Sequence, residues 1–384
     1  MAIFDYQSLK SKYGDFSFPF VKLIVNGKEF SKNKNNFILS DVDIELTSDY
    51  EASIAGYTIY NTFDMEQSAF LSNDVKNYIA LGSPVEIALG YGDQGVRVFN
   101  GFIAKVNFVY PEDDMPGIRV TALDVKGIMM ANNYSRQLKA KSYGEAVKEI
   151  LDQNVYADLR NKGIIDKLTI SDTPDKQQGG NSKKETDRTI EMVCESDYEF
   201  VVKAAKKYNY EFFAECGTVF FRKAKSNDKV LIELGPKEGL RSMDVEYDIT
   251  SLVSSVEARG MDTGKGNAIV GKKKFSNKIS MGNHAAKMIK KNTKVYIDTT
   301  ITSQREADSR AESILEDMSY KFGTLKCECF GLPELMPGYF VKLIGLGQPP
   351  NNLFYITSVR HILSNDAGFV TILTGKAPGI GGSF

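Results

Sequence analysis

Pro84-Val-Glu-Ile-Ala-Leu-Gly-Tyr-Gly92 and Tyr339-Phe-Val-Lys-Leu-Ile-Gly-Leu-Gly347 stand far apart in the chain and share one pattern. Each is an alternating, strand-like run that closes on Gly-x-Gly. Each is followed by a loop and a strand containing an aromatic residue, Phe102-Ile-Ala-Lys-Val106 and Tyr355-Ile-Thr-Ser-Val359. Each then closes with a Val-Thr strand, at Val120-Thr121 and Val370-Thr371. Three matched strands in the same order predict two copies of one β unit, one near each end of the chain.

Strand signals continue around the first copy. Phe20-Val-Lys-Leu-Ile-Val25 runs into Asn26-Gly27, a pair suited to the left-handed conformations of a tight hairpin. Val42-Asp-Ile-Glu-Leu46 alternates strictly, and Ser53–Tyr60 and Ile118–Leu123 add further short strands. Many short strands at this spacing predict a barrel or sandwich. Helices follow, each opened by a Ser-x-x-Glu capping box, at Ser142–Glu145, Ser196–Glu199 and Ser303–Glu306. The second box precedes Phe200, Val201, Ala204, Ala205 and Tyr208 on one helical face, and Asn209 is placed to cap the end. A hairpin turning at Cys216-Gly217 comes next. Asp172–Asp187 and Gly264–Lys294 are polar and lysine-rich and read as loops. The fold class expected is α+β, with two similar β-barrel (tube-like) domains and a central α/β region. The expected divisions are residues 1–130, 131–245 and 246–384, the last including a helix and the lysine-rich loop.

The chain has 384 residues, 42% hydrophobic and 25% charged, enough for two or three domains. It carries 48 basic and 49 acidic residues, for a net charge of -1, which argues against a general nucleic-acid binder. Of four cysteines, Cys327 and Cys329 alternate onto one strand face and read as core residues. Met1–Asp5 lacks the features of a signal peptide, and no run reaches the ~18 apolar residues of a membrane span. Assembly in the cytoplasm, or release by lysis rather than secretion, and no membrane insertion are therefore expected.

Motifs for catalysis fail on their chemistry. Gly266–Lys272 opens like a phosphate loop, but Lys273 stands where a magnesium-binding Ser or Thr belongs. His284 and His361 lack spaced metal-ligand or nucleophile partners. Glu112, Asp113 and Asp114 could supply the paired acids of a glycosidase, but they sit in a turn-rich segment that reads as a solvated loop. No catalytic, cofactor or metal site is expected. Lys272, Lys273, Lys274 and Lys278 form a basic stretch that could face an acidic partner; the plainer reading is a solvated loop.

The run Glu195-Ser-Asp-Tyr-Glu-Phe200, its helix, and Tyr210-Glu-Phe-Phe213 resemble the phage late-control gene D and VgrG proteins. Gly331-Leu-Pro-Glu-Leu-Met-Pro-Gly338, Phe99-Asn-Gly-Phe-Ile103 and Val120-Thr-Ala-Leu-Asp124 are similar to further motifs of that family. Ala204 and Asn209 depart from it, where a larger residue and Gly are usual. The resemblance marks Ser196, Asp197, Tyr198, Glu199, Phe200, Pro333, Pro337 and Gly338 as family-motif residues. It implies a non-enzymatic baseplate hub of a contractile injection system, such as a phage tail or tailocin. Such a hub is a homotrimer that adapts a hexameric inner tube, or tube-initiator protein, to a trimeric spike among baseplate wedge proteins. The Gly-rich end at Pro378–Phe384 carries no needle repeat, so the spike is expected to be a separate protein. The resemblance also implies assembly in a bacterial cytoplasm; a tail-associated cell-wall hydrolase and a receptor- or glycan-binding tail module are the alternatives.

Overall fold

The computed structural model describes residues 2–33, 36–175, 190–262, 266–275 and 283–380. The first block runs α1 (Tyr6–Lys12), β1 (Pro19–Val25), β2 (Lys28–Glu29), β3 (Ile38–Thr47), β4 (Ile54–Tyr60), β5 (Phe63–Asp64), β6 (Ala69–Phe70) and α2 (Ser72–Ile79). It ends with β7 (Pro84–Tyr91), β8 (Gln94–Val109) and β9 (Gly117–Leu123). The central block holds α3 (Lys126–Met129), β10 (Tyr134–Leu138), α4 (Tyr143–Leu151), α5 (Asn154–Asn161) and β11 (Lys167–Ile170). It continues with β12 (Ile190–Glu195), α6 (Asp197–Tyr208), β13 (Tyr210–Glu215) and β14 (Thr218–Lys223). The last block begins with β15 (Val230–Leu234), β16 (Leu240–Tyr247), β17 (Ser255–Asp262), β18 (Asn267–Lys274), α7 (Asn283–Ile289), β19 (Thr293–Ile297) and α8 (Gln304–Ser319). It closes with β20 (Gly323–Phe330), β21 (Phe340–Leu343), β22 (Leu353–Ser364) and β23 (Gly368–Ala377).

The fold is α+β, mostly sheet, as expected. The barrels are not as expected: no closed barrel forms among the described strands. One 13-stranded sheet instead takes strands from both ends of the chain, in the order β16-β20-β23-β22-β3-β4-β9-β8-β7-β1-β2, with β21 on β22 and β15 on β21. Alternation explains why a closed barrel was expected, since it fixes the buried face but not which edges meet. The edge that decides the architecture is β3 against β22, Val42 opposite Leu363 through Thr47 opposite Ser358.

Neighbour relations on the two sides of that joint run in parallel. On one side β1 borders β7, then β8, β9, β4 and β3; on the other, β15 borders β21, then β22, β23, β20 and β16. The two sides differ in direction, β1 running antiparallel to β7 while β15 runs parallel to β21, and in β2, which borders β1 alone. A single core serves both sides. It includes Val25, Ile44, Ile59 and Leu89 together with Leu234, Leu343, Phe354, Val359 and Leu373. Each such side chain contributes about 1.5–3 kcal/mol by leaving water. Cys327 and Cys329 lie on this buried face. The Asn26-Gly27 hairpin forms as read, both residues at positive φ and Val25 paired with Lys28.

Two smaller bodies pack on the sheet. In the central one, α4 and α6 lie over β13 and β14 around Ile150, Tyr156, Phe200, Phe212 and Phe221. In the other, α8 covers β17 and β18 through Val256, Ala258, Ile269, Ala307 and Ala311. This corrects the loop expected at Gly264–Lys294: its described parts are β18, α7 and β19. Only Ile269 of β18 is a buried large apolar residue, so the sequence carried little periodic signal there. Most of the polar segment Asp172–Asp187 lies outside the described residues.

Candidate functional site: motif joints and open sheet edges

The capping box at the start of α6 is complete. Ser196 Oγ accepts from the Glu199 amide at 3.0 Å, and Glu199 Oε2 accepts from the Ser196 amide at 2.7 Å. Asp197 does more than face the helix dipole. It is fully buried and accepts from Asn132 at 2.9 Å, Arg136 at 2.7 Å and the Tyr156 hydroxyl at 2.8 Å. Burial and then this carboxylate push the Tyr156 phenol well above its ordinary range. Tyr198 donates to the Tyr50 carbonyl at 3.1 Å, and Phe200 is fully buried. At the helix end, Asn209 adopts the left-handed cap. These five motif residues form a joint between α6, β10, α5 and the first block.

The second motif is also a joint. Gly331 through Gly338 are all buried. Leu332 donates its amide to Thr371 at 3.0 Å, and the Gly331 carbonyl accepts from Tyr91 at 2.9 Å. Pro333 and Pro337 flank Glu334, whose carboxylate accepts from Tyr13 at 2.5 Å and tethers α1. Gly338 has φ +85, and a Cβ there would lie 2.8 Å from Arg222 Nη2 and 2.9 Å from Phe213 Cζ. Only glycine fits both constraints. Its carbonyl accepts from Arg222 at 3.0 Å and Asn227 at 3.1 Å.

Arg222 leads into a buried polar cluster where the central body meets the sheet. It donates to Glu211 at 2.5 Å and stacks on Phe213 and Phe220; the Tyr355 hydroxyl also donates to Glu211. Burial raises the Glu211 carboxyl against the pull of Arg222. Burial pushes nearby Glu215 up to about 7. A cavity of about 80 Å³ beside Glu211 and Tyr355 is also lined by Asp49, Lys225, Asp317 and Lys376. Lys126, wholly buried, donates to the Asp49 and Glu51 carbonyls and lies 3.8 Å from Asp124.

Other sequence candidates are placed apart from these joints. Lys272 and Lys273 sit on β18 and pair with Glu257 at 2.5 Å and Glu312 at 3.2 Å. Lys274 ends the same strand and Lys278 lies outside the described residues. Their acidic partners come from β17 and α8, so the run is compensated in space rather than along the chain. Glu112, Asp113 and Asp114 are exposed between β8 and β9. His361 is fully buried, 2.9 Å from Thr371 Oγ1 and 3.2 Å from the Leu335 carbonyl, and burial lowers it to about 4. Among the described residues, no three His, Cys, Asp or Glu side chains are grouped to hold a metal, and no helix is long and apolar enough to cross a membrane.

Two features were missed in the sequence. Among the described residues, β16 pairs only with β20, leaving an open edge. The far end of β8, residues 105–109, pairs only with β9. Exposed apolar side chains mark both places: Met243 on the first, and Phe108 and Tyr110 on and just beyond the second. A readable signal existed: Met243-Asp-Val-Glu-Tyr247 repeats the pattern of Val42-Asp-Ile-Glu-Leu46.

The family described as "Alg8 N-terminal domain" matches residues 122–365, more than half of the chain. The chain belongs to that family. The Alg8 N-terminal domain family is not the late-control gene D family expected from the motifs, and its description states no activity. None of the curated protein sequences compared with this Alg8 N-terminal domain chain matches it. Solved structures do. A tail protein from Neisseria meningitidis MC58 superposes with a TM-score of 0.65 at 15% identity, over 94% of this chain and 97% of that one. The 43 kDa tail protein of prophage MuSo2 from Shewanella oneidensis gives 0.63 at 14%, over 94% and 98%. The E. coli c3393 protein gives 0.53 at 11%, over 92% and 76%. It is a type VI secretion component described as structurally similar to the T4 tail proteins gp27 and gp5. At these identities the likeness is one of fold.

Proposed function

We propose that this chain is a structural, non-catalytic hub of a phage-tail-like baseplate, joining an inner tube to a separate spike as part of the tail particle. The observation that carries the reading is the repeated neighbour order on the two sides of the β3–β22 joint, in a fold shared with tail proteins. Read as two copies of one tube-like unit, the first lies within residues 1–130, and the second reaches back from residue 246 to Val230. Three chains in a closed ring would then offer six units to a hexameric tube and three equivalent sites to a spike. The motif residues serve this role by fixing bodies to one another: Asp197 within the central body, Gly338 and Arg222 between that body and the sheet. A scaffold that transmits force between tube and spike needs such joints, and a substrate cleft is not required of it.

The test is the mass of the purified protein in solution, alone and with the neighbouring tube and spike proteins. A trimer, formed alone or on adding spike, is the expected result. A chain that stays monomeric and ignores both partners overturns the reading.

A further inference from the structure

We propose that the outward face of the small β18-β17-β19 sheet is a docking surface for an acidic amphipathic helix of another protein. This goes beyond the hub reading and does not rest on it, since the surface belongs to the small body under α8 alone.

The sheet has two faces, and one of them is covered. α8 packs on Val256, Ala258 and Ile269, and the strand register puts Gly271 and Tyr296 on that same side. A sheet packed on one face ordinarily turns polar residues to water on the other. Here Met261, Val270, Val295 and Ile297 point outward instead, and they are 55%, 43%, 45% and 81% exposed. They are also neighbours. Val270 and Ile297 flank Arg259 on either side, and Val295 lies beside Glu257. Contiguous exposed apolar surface of this kind marks an interaction site, where scattered single residues would not.

Charge decides the occupant. Among the outward positions of the three strands Glu257 is the one carboxylate. It is already shared, accepting from Arg259 at 2.8 Å and Lys272 at 2.5 Å. One acid against two cations leaves a positive excess, and Lys274 adds to it beside Ser255. The turn holding the exposed Lys290 and Lys291 closes that same end, with the Lys290 carbonyl accepting from Ser254 at 3.0 Å. The face thus grades from apolar at Met261, Val270 and Ile297 to basic at the lysine end. A second copy laid on it would set these cations against one another, whereas an acidic partner is attracted by each of them.

Size decides the occupant's shape. Three strands spaced about 4.8 Å make a face roughly 10 Å across, the width of one helix. β17 has 8 residues, and at about 3.3 Å each it runs the length of about 17 residues of helix. α8, with 16 residues, already crosses the other side of β17 and β18 in this way. The incoming helix would lay its apolar stripe on Val270, Val295 and Ile297 and turn its carboxylates toward the lysines.

The experiment uses the full-length chain and two labelled peptides of about 17 residues. Both carry leucine along one helical face; one has glutamate at the remaining positions and the other lysine. Fluorescence anisotropy should show the glutamate peptide binding and the lysine peptide not. Ile297→Asp should weaken that binding by about tenfold or more, with thermal midpoint and oligomeric mass unchanged. Lys274→Glu combined with Lys291→Glu should weaken it too and flatten its dependence on salt. Binding of neither peptide, equal binding of both, or glutamate-peptide binding that survives Ile297→Asp overturns the assignment. So does loss of the native oligomer in Ile297→Asp, which makes a second copy the occupant, and so does capture of phosphatidylglycerol vesicles in preference to the peptide. A chain that binds the glutamate peptide yet stays monomeric with tube and spike proteins present overturns the hub reading alone.

Discussion

Asp197 shows how far one residue can be read. The Ser-Asp-Tyr-Glu spacing gives it a favourable place at a helix start. Its three donors come from positions 41, 61 and 65 residues away, which no local pattern reveals. Gly338 is similar: a Pro-Gly pair reads as a turn, but the demand for glycine comes also from Phe213 on β13 and Arg222 on β14. Gly338→Ala should destabilise the protein by roughly 1–3 kcal/mol through strain and displacement, read as a lower thermal midpoint. His361 gives a pH dependence. Its unfolded form takes up a proton near 6.5 and its folded form only near 4. Its contribution is therefore present above pH 6.5 and lost as pH falls toward 4, a change on the order of 3 kcal/mol. Glu215, raised to about 7, works in the opposite sense over part of this range, with stability lost as pH rises through 7. Comparing denaturation midpoints of wild type and His361→Asn between pH 7 and pH 4 isolates the histidine: the variant should show a shallower fall.

At the scale of elements, the helices were the most legible. All three predicted N-cap serines accept from the amide three residues on, and Asn209 takes the cap it was assigned. β18 was not legible, because α8 needs only Ile269 and a small Gly271 beneath Ala307, leaving no alternating apolar run. β16 was overlooked as a relative of β3 because its apolar positions are Met, Val and Tyr rather than Val, Ile and Leu. The contact of the central body with the sheet turns on Arg222, which bonds Glu211 of its own sheet and the Gly338 carbonyl of the large one. Arg222→Ala leaves the buried Glu211 carboxyl without its cation, a change of about 3–5 kcal/mol. Limited proteolysis should then cut between the two bodies, near residues 224–229, sooner than in the wild type.

For the whole molecule, the sequence repeat pointed to two similar halves but could not show that they share an interior. Ile44 and Ile59 belong to the same buried cluster as Leu343, Phe354 and Val359. A fragment of residues 1–130 should therefore fail to fold alone, and far-ultraviolet circular dichroism should show little strand signal. A cooperative β fold in that fragment would mean the first half is an independent domain after all. The closed barrels expected for each half were out of reach because closure depends on which edges meet, and edges are backbone, with no residue code of their own.

The β3–β22 joint is held within one polypeptide, so its formation does not depend on how much protein is present. A ring of six units made from single-unit chains would require five associations in solution, each losing translational and rotational freedom. Fusing the units in pairs leaves two. Dilution can then open only the joints between chains, and each chain that departs carries one joint away intact, ready to be used again.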